Sequence, residues 1–201
     1  MNFLAHCALG DRSDELIVGG FMGDFLKGPV PEQLPFVIAA GVRLHRRLDA
    51  FSATEPNLRA SCARLPADLR RFAPPFVDLL ADHLLARTFA AHHGEPLERF
   101  GPRAYDAIDA GRAWLPARAR RFLDYMRDHD LFLRYREIDA VEHAFARIMS
   151  RLGRHDVVAP MVAAAHAHYD ALARDFEAYY PALRAHASAW LDAAAISTRV
   201  D

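Results

Sequence analysis

Three short segments of this chain set histidine and aspartate into runs that are otherwise apolar. Gly23-Asp24-Phe25 carries an acid between glycine and a large apolar group. A carboxylate in such a run is costly unless it is paired or binds a cation. Leu44-His45-Arg46-Arg47-Leu48-Asp49 spaces His45 and Asp49 four residues apart. On a helix that spacing puts both side chains on one face, where they can reach one ion without distorting the backbone. Asp78-Leu79-Leu80-Ala81-Asp82-His83 repeats the spacing with two acids and adds a histidine. Together Asp24, His45, Asp49, Asp82 and His83 offer carboxylate and imidazole ligands without thiolates, a set suited to manganese, iron, zinc or magnesium. Such a site can activate water and neutralise phosphoryl charge. Arg46 and Arg47 stand beside the second pair and present guanidinium forks for phosphate oxygens. Taken singly, each segment also reads as an ion pair on a solvated helix face.

The rest of the chain must supply helices to carry these residues. Of its 201 residues 52% are apolar and 25% charged, enough for a sizeable core and against disorder. Alanine, leucine and arginine dominate, and no segment alternates β-branched and polar residues, so the periodicity predicts almost no sheet. Helices are expected over residues 2–9, 14–27, 31–53, 56–64, 67–72, 75–92, 96–113, 116–129, 137–152, 156–179 and 182–195, with Pro181 dividing the last two. Gly19, Gly20 and Gly23 imply close approach of another helix or of a substrate to that backbone. One all-α domain, a helical bundle over 1–196, is expected, with a frayed tail at 197–201.

Several classes are excluded. A formal net charge of −1 argues against nucleic acid as a partner. Cys7 and Cys62 are too few for a disulfide framework and read as packed thiols. No run reaches the ~18 apolar residues of a membrane span, and the N-terminus lacks the basic flank of a signal peptide, which makes a cytoplasmic protein the expectation. There is no nucleophile elbow, phosphate-binding loop or dinucleotide fingerprint. Phe122, Tyr125, Phe132 and Tyr135 recur beside arginines, a composition that suits a homodimer interface.

The ordered set of motifs resembles one family. Met1-Asn2-Phe3-Leu4-Ala5-His6, Gly23-Asp24-Phe25, His45-Arg46-Arg47-Leu48-Asp49 and Asp78-x-x-x-Asp82-His83-x-Leu-x-Arg87 occur in the order seen in acyl carrier protein phosphodiesterases. Leu133-Arg134-Tyr135-Arg136-x-x-Asp139, His168-Tyr169 and Phe176-x-x-Tyr179-Tyr180-Pro181 match in character. The resemblance spans nearly the whole chain. It implies a divergent, distantly HD-domain-like helical phosphohydrolase that removes 4′-phosphopantetheine from holo acyl carrier protein, using water activated by a divalent metal. Manganese is the implied metal, with magnesium or iron as alternatives. The doublet here is Asp82-His83, the reverse of the HD order, so ligand assignments from ordinary HD enzymes do not transfer.

On this resemblance the metal ligands are drawn from Asp24, His45, Asp49, Asp82 and His83. Asp24 also acts in catalysis, Arg46 and Arg47 clamp the phosphate, and His6 is the candidate general acid. Acyl carrier proteins are acidic, so a basic docking surface is expected, from Arg64, Arg70 and Arg71 or from the arginine-rich stretch 118–127. A phosphohydrolase of small phosphoesters and a non-catalytic helical module are the competing classes.

Overall fold

The computed structural model describes residues 3–194. Met1 and Asn2 of the first motif and the expected tail at 197–201 lie outside them. The described chain is all-helical. Eleven α-helices follow one another: α1 (Phe3–Leu9), α2 (Asp14–Met22), α3 (Phe36–Ser52), α4 (Pro56–Arg64), α5 (Ala73–His93), α6 (Leu97–Ala110), α7 (Ala117–Asp128), α8 (Leu131–Arg134), α9 (Ile138–Arg151), α10 (Val158–Ala167) and α11 (Tyr169–Ala193). Short 3₁₀ turns link several of them, and no strand occurs among the described residues. One continuous hydrophobic cluster runs through the helices.

Local chemistry sets the boundaries that matter for the site. The Ser13 side chain accepts the Leu16 N–H and starts α2, so Ser13 is the cap and Asp14 lies in the first turn. The expected helix 14–27 is shorter: α2 stops at Met22 and tightens into a 3₁₀ turn over Gly23–Phe25. Asp24 therefore projects from the turn that closes the helix. Glu55 caps α4 by accepting the Leu58 N–H at 2.7 Å, with Pro56 at the first position. Gly94, at φ 74°, ends α5 in the left-handed region.

Packing of the first three helices depends on glycine. A Cβ on Gly19 would lie 2.6 Å from the Gly41 Cα, and one on Gly41 would lie 2.6 Å from the Leu16 carbonyl oxygen, so α2 and α3 meet backbone to backbone. A Cβ on Gly20 would come within 2.8 Å of the His6 carbonyl oxygen, which fixes the approach of α1. The small residues read from the sequence thus admit two neighbouring helices. α5 forms the opposite wall. Its fully buried Phe76 packs edge-on against Phe145 of α9 at 5.0 Å.

Two expectations fail. Pro181 does not break the last helix: α11 runs from Tyr169 to Ala193 through it. Pro181 and Glu177, whose carbonyl loses its partner, face solvent, while Tyr179, Tyr180 and Leu183 are buried. Water can satisfy the freed carbonyl while the core holds the helix together. The chain breaks instead at His168, within the expected helix 156–179. The short α8 was also not foreseen; Asp130, at φ 43°, precedes it.

Gly19→Ala should lower stability by about 1–3 kcal/mol, the usual range for forced overpacking, because only backbone stands in the way. Gly101→Ala on α6 meets nothing nearer than the Phe132 Cβ at 3.9 Å and should instead raise stability by up to about 1 kcal/mol. Chemical denaturation of both variants reads the opposite signs.

Candidate metal centre

The cluster begins with α1. Asp82, wholly buried on α5, accepts the N–H groups of Leu4 at 2.8 Å and Ala5 at 3.0 Å. These are first-turn donors with no partner inside their own helix. Burial pushes the Asp82 carboxyl up to about 7, against the pull of the two N–H groups. Asp82 thereby anchors the helix that carries His6.

The His6 ring is 1% exposed and stacks on His45 at 3.7 Å between centroids. That contact requires Gly23, because a Cβ there would lie 2.6 Å from His45 Nδ1. His45 Nδ1 donates to the Gly20 carbonyl at 2.9 Å, so in the neutral ring Nε2 presents its lone pair. His45 Nε2 lies 3.3 Å from Asp49 Oδ2 and 3.6 Å from Asp24 Oδ1, and His6 Nε2 lies 3.1 Å from Asp49 Oδ1. Ligand atoms of His6, His45 and Asp49 fall within 4.8 Å of one another. The imidazoles are buried, while Asp24 and Asp49 are 40% and 47% exposed, so the cluster opens outward on its carboxylate side.

The electrostatics follow from this placement. Burial, with His45 beside it, takes the His6 pKa down to about 3, against the opposing effect of Asp49. At neutral pH the ring is uncharged. Burial raises the Asp49 carboxyl, but the two imidazoles more than offset it and leave it below the ordinary carboxylate range. Burial raises Asp24, and nearby Asp49 adds to the rise against His45. Neither ring nitrogen of His6 has a well-aligned hydrogen bond, and Nε2 faces Asp49 Oδ1 across 3.1 Å. A buried imidazole nitrogen so poorly satisfied and facing a carboxylate fits a bound cation. The donors are two imidazoles and one or two carboxylates, appropriate to a divalent metal with open positions.

Other residues singled out from the sequence lie elsewhere. Asp82 acts on the cluster through α1. His83 is also fully buried; its Nδ1 lies 2.8 Å from the Tyr135 carbonyl and its Nε2 2.7 Å from the Tyr169 hydroxyl, so both nitrogens are engaged away from the cluster. Arg46 donates to the Leu26 carbonyl at 3.2 Å, just beyond Asp24, and Arg47 lies over the Trp190 ring. Arg64 grips Asp175 with two hydrogen bonds of 2.7 and 2.9 Å. Arg70 donates to the Ala63 carbonyl and Arg71 lies over Phe72. Cys7 is buried, and burial holds its thiol well above the ordinary range.

Beside the cluster a cleft of about 900 Å³ runs between α7, α8 and α9, and Asp24 lies in its wall. Phe3, Phe25 and Phe122 pack with one another there, and Arg118, Arg121, Arg134, Arg147 and Arg151 line it. Residues 118 and 121 fall in the arginine-rich stretch noted in the sequence. Those of α9 were not singled out, although Arg147 and Arg151 share its i, i+4 spacing.

Fold and cluster together define an all-helical protein with a His/Asp cluster able to hold a metal ion, set beside a cationic cleft. The chain belongs to the acyl carrier protein phosphodiesterase family, whose sequence profile matches residues 1–183. Proteins named acyl carrier protein phosphodiesterase from Escherichia coli O139:H28 (strain E24377A / ETEC) and Escherichia coli O9:H4 (strain HS) are each 30% identical to it over 189 residues, covering 94% of this chain and 98% of theirs. No solved structure matches the chain. No described helix is long and apolar enough to cross a membrane.

Asp82→Ala should leave two buried N–H groups without acceptors, at about 1–3 kcal/mol each, and should weaken divalent-metal binding although Asp82 is outside the cluster. Asp82→Asn, which keeps one acceptor, should lose roughly half as much stability. Thermal unfolding with and without metal checks both.

Proposed function

We propose that this protein is a divalent-metal-dependent phosphodiesterase that converts holo acyl carrier protein to the apo form and 4′-phosphopantetheine. The observation that carries the reading is the convergence of His6, His45 and Asp49, with Asp24 beside them, in a chain of this family. His6, His45, Asp49 and Asp24 would hold the metal, and manganese is the proposed ion, with magnesium or iron as alternatives. When bound, such an ion lowers the pKa of water and offsets phosphoryl charge.

The residues divide the work as follows. His6 and His45 present lone pairs from a dry floor. We therefore place His6 with the ligands instead of as general acid, since a ring with its pKa near 3 holds no proton to give at neutral pH. Asp49 supplies the firmly ionised carboxylate. Asp24 touches both the cluster and the cleft, and we assign to its carboxylate the transfer of a proton from the attacking water to the leaving serine oxygen. In the balanced reaction water adds to phosphorus, the bond from phosphorus to the serine oxygen breaks, and the serine hydroxyl regains a proton.

Arg46 enters as a positioning residue: its hydrogen bond to the Leu26 carbonyl secures the backbone that follows Asp24. Asp82 and His83 enter in the same way, through α1 and through the Tyr135 backbone. The reading places the reaction in the cytoplasm. Phe132 and Tyr135, expected at a dimer interface, are buried, and Phe122 and Tyr125 line the cleft. A homodimer would have to use other surface, such as that around Phe36, Trp114 or Leu152, the large apolar side chains left exposed.

Incubation with holo acyl carrier protein and manganese should remove the mass of one phosphopantetheine from the carrier. Asp24→Asn should fold normally and lower the rate on the order of 100-fold or more. Unchanged carrier mass with wild-type protein, or a wild-type rate for Asp24→Asn, would sink the reading.

A further inference from the structure

Several arginines are held by carboxylates. Arg12 pairs with Asp192, Arg64 with Asp175, Arg103 with Asp11, Arg112 with Asp124, Arg136 with Glu98 and Arg154 with Asp156. In the cleft Arg134 meets Asp139 at 3.9 Å, and four other arginines have no such partner among the described residues. Arg118, Arg121 and Phe122 share one face of α7, and Arg147, Ile148 and Arg151 share one face of α9. The four arginines are exposed, and none has a carboxylate partner among the described residues. Arg147 donates to the Tyr125 hydroxyl at 2.9 Å and lies over its ring at 5.0 Å, which ties α9 to α7 and leaves its charge uncompensated. On the side of α7 away from the cleft, Arg127 meets Asp106.

The formal net charge of the chain is −1, yet these four cations line one cleft beside Asp24. A phosphodiester bears a single negative charge, and one guanidinium fork can hold it. Four guanidiniums on two facing helices call for an occupant with several anionic groups. Phe122 and Ile148 between them offer apolar contact, the mixture found in protein interfaces. A polyanion without apolar surface would leave that contact unused.

We propose that α7 and α9 dock the protein that bears the phosphodiester, through an acidic surface element seated against Arg118, Arg121, Arg147 and Arg151. The inference rests on the reading that the substrate is a carrier protein. It moves the docking surface away from Arg64, which Asp175 holds, and from Arg70 and Arg71, which lie outside the cleft. Placed beside Asp24, such a surface would both steer the encounter and set which bond reaches the cluster.

The test uses two charge-reversal pairs, Arg118→Glu with Arg121→Glu and Arg147→Glu with Arg151→Glu, and Arg120→Glu as a control on α7 outside the cleft. Binding of apo acyl carrier protein, which lacks the phosphopantetheine, is measured by fluorescence anisotropy at low and high salt. Steady-state kinetics follow with the holo form. Both pairs should weaken apo-carrier binding and raise KM by about tenfold or more, with kcat within about twofold, and salt should weaken the wild-type complex. The control should match wild type. Apo-carrier binding that is equal in wild type and the paired variants overturns the proposal. So does a fall in kcat with binding unchanged, which would assign these arginines to the reacting phosphate. If wild-type protein releases no phosphopantetheine, the functional reading fails on its own. Apo-carrier binding then still decides the docking surface: loss on charge reversal supports it, and no binding or indifferent binding overturns it.

Discussion

The face-to-face contact of two buried imidazoles, His6 on α1 and His45 on α3, is the constraint on which the site depends. Rings 3.7 Å apart require α1, α2 and α3 to approach more closely than side chains allow. Gly19 and Gly41 where α2 meets α3, Gly20 against α1 and Gly23 against the His45 ring remove the atoms that would intervene. Glycine inside a helix costs about 0.5–1 kcal/mol relative to alanine, so these positions trade local helix stability for tertiary geometry. The result is a dry floor of nitrogen lone pairs under two half-exposed carboxylates.

Anchoring comes from a residue outside the cluster. α1 has only seven residues, too few for stability as an isolated helix. It is held by the Asp82 carboxylate through two backbone hydrogen bonds, over a sequence separation of 78 and 77 residues. His83 does comparable service on the next position of α5 by holding the Tyr135 carbonyl, and Tyr135 lines the cleft. The Asp-His doublet thus connects both the cluster and the cleft to one central helix.

Much of this was legible in the sequence because helical spacing is local information. The i, i+4 pair His45 and Asp49, the isolated acid Asp24 and the small residues around it pointed to one face and one close approach, and the structure brings them together. What spacing cannot report is which distant group a side chain meets. Asp82 reads like a ligand until its acceptors are seen to face the start of α1. Arg64 reads like a docking residue until Asp175, 111 positions away, is found in its fork. His6 looked unassigned because its partners, His45 and Asp49, lie on a distant helix, α3. Pro181 misled for a related reason: a proline breaks a helix unless burial holds both sides of it and water can reach the freed carbonyl.

The central claim is that His6, His45, Asp49 and Asp24 bind a divalent metal. Crystals grown with manganese, with anomalous diffraction measured to locate the ion, test it most directly. The account predicts one strong anomalous peak bounded by His6 Nε2, His45 Nε2 and the Asp49 carboxylate, on the side open to Asp24. A peak at Asp82 and His83 instead, or none at the stacked imidazoles with manganese in excess, would contradict it.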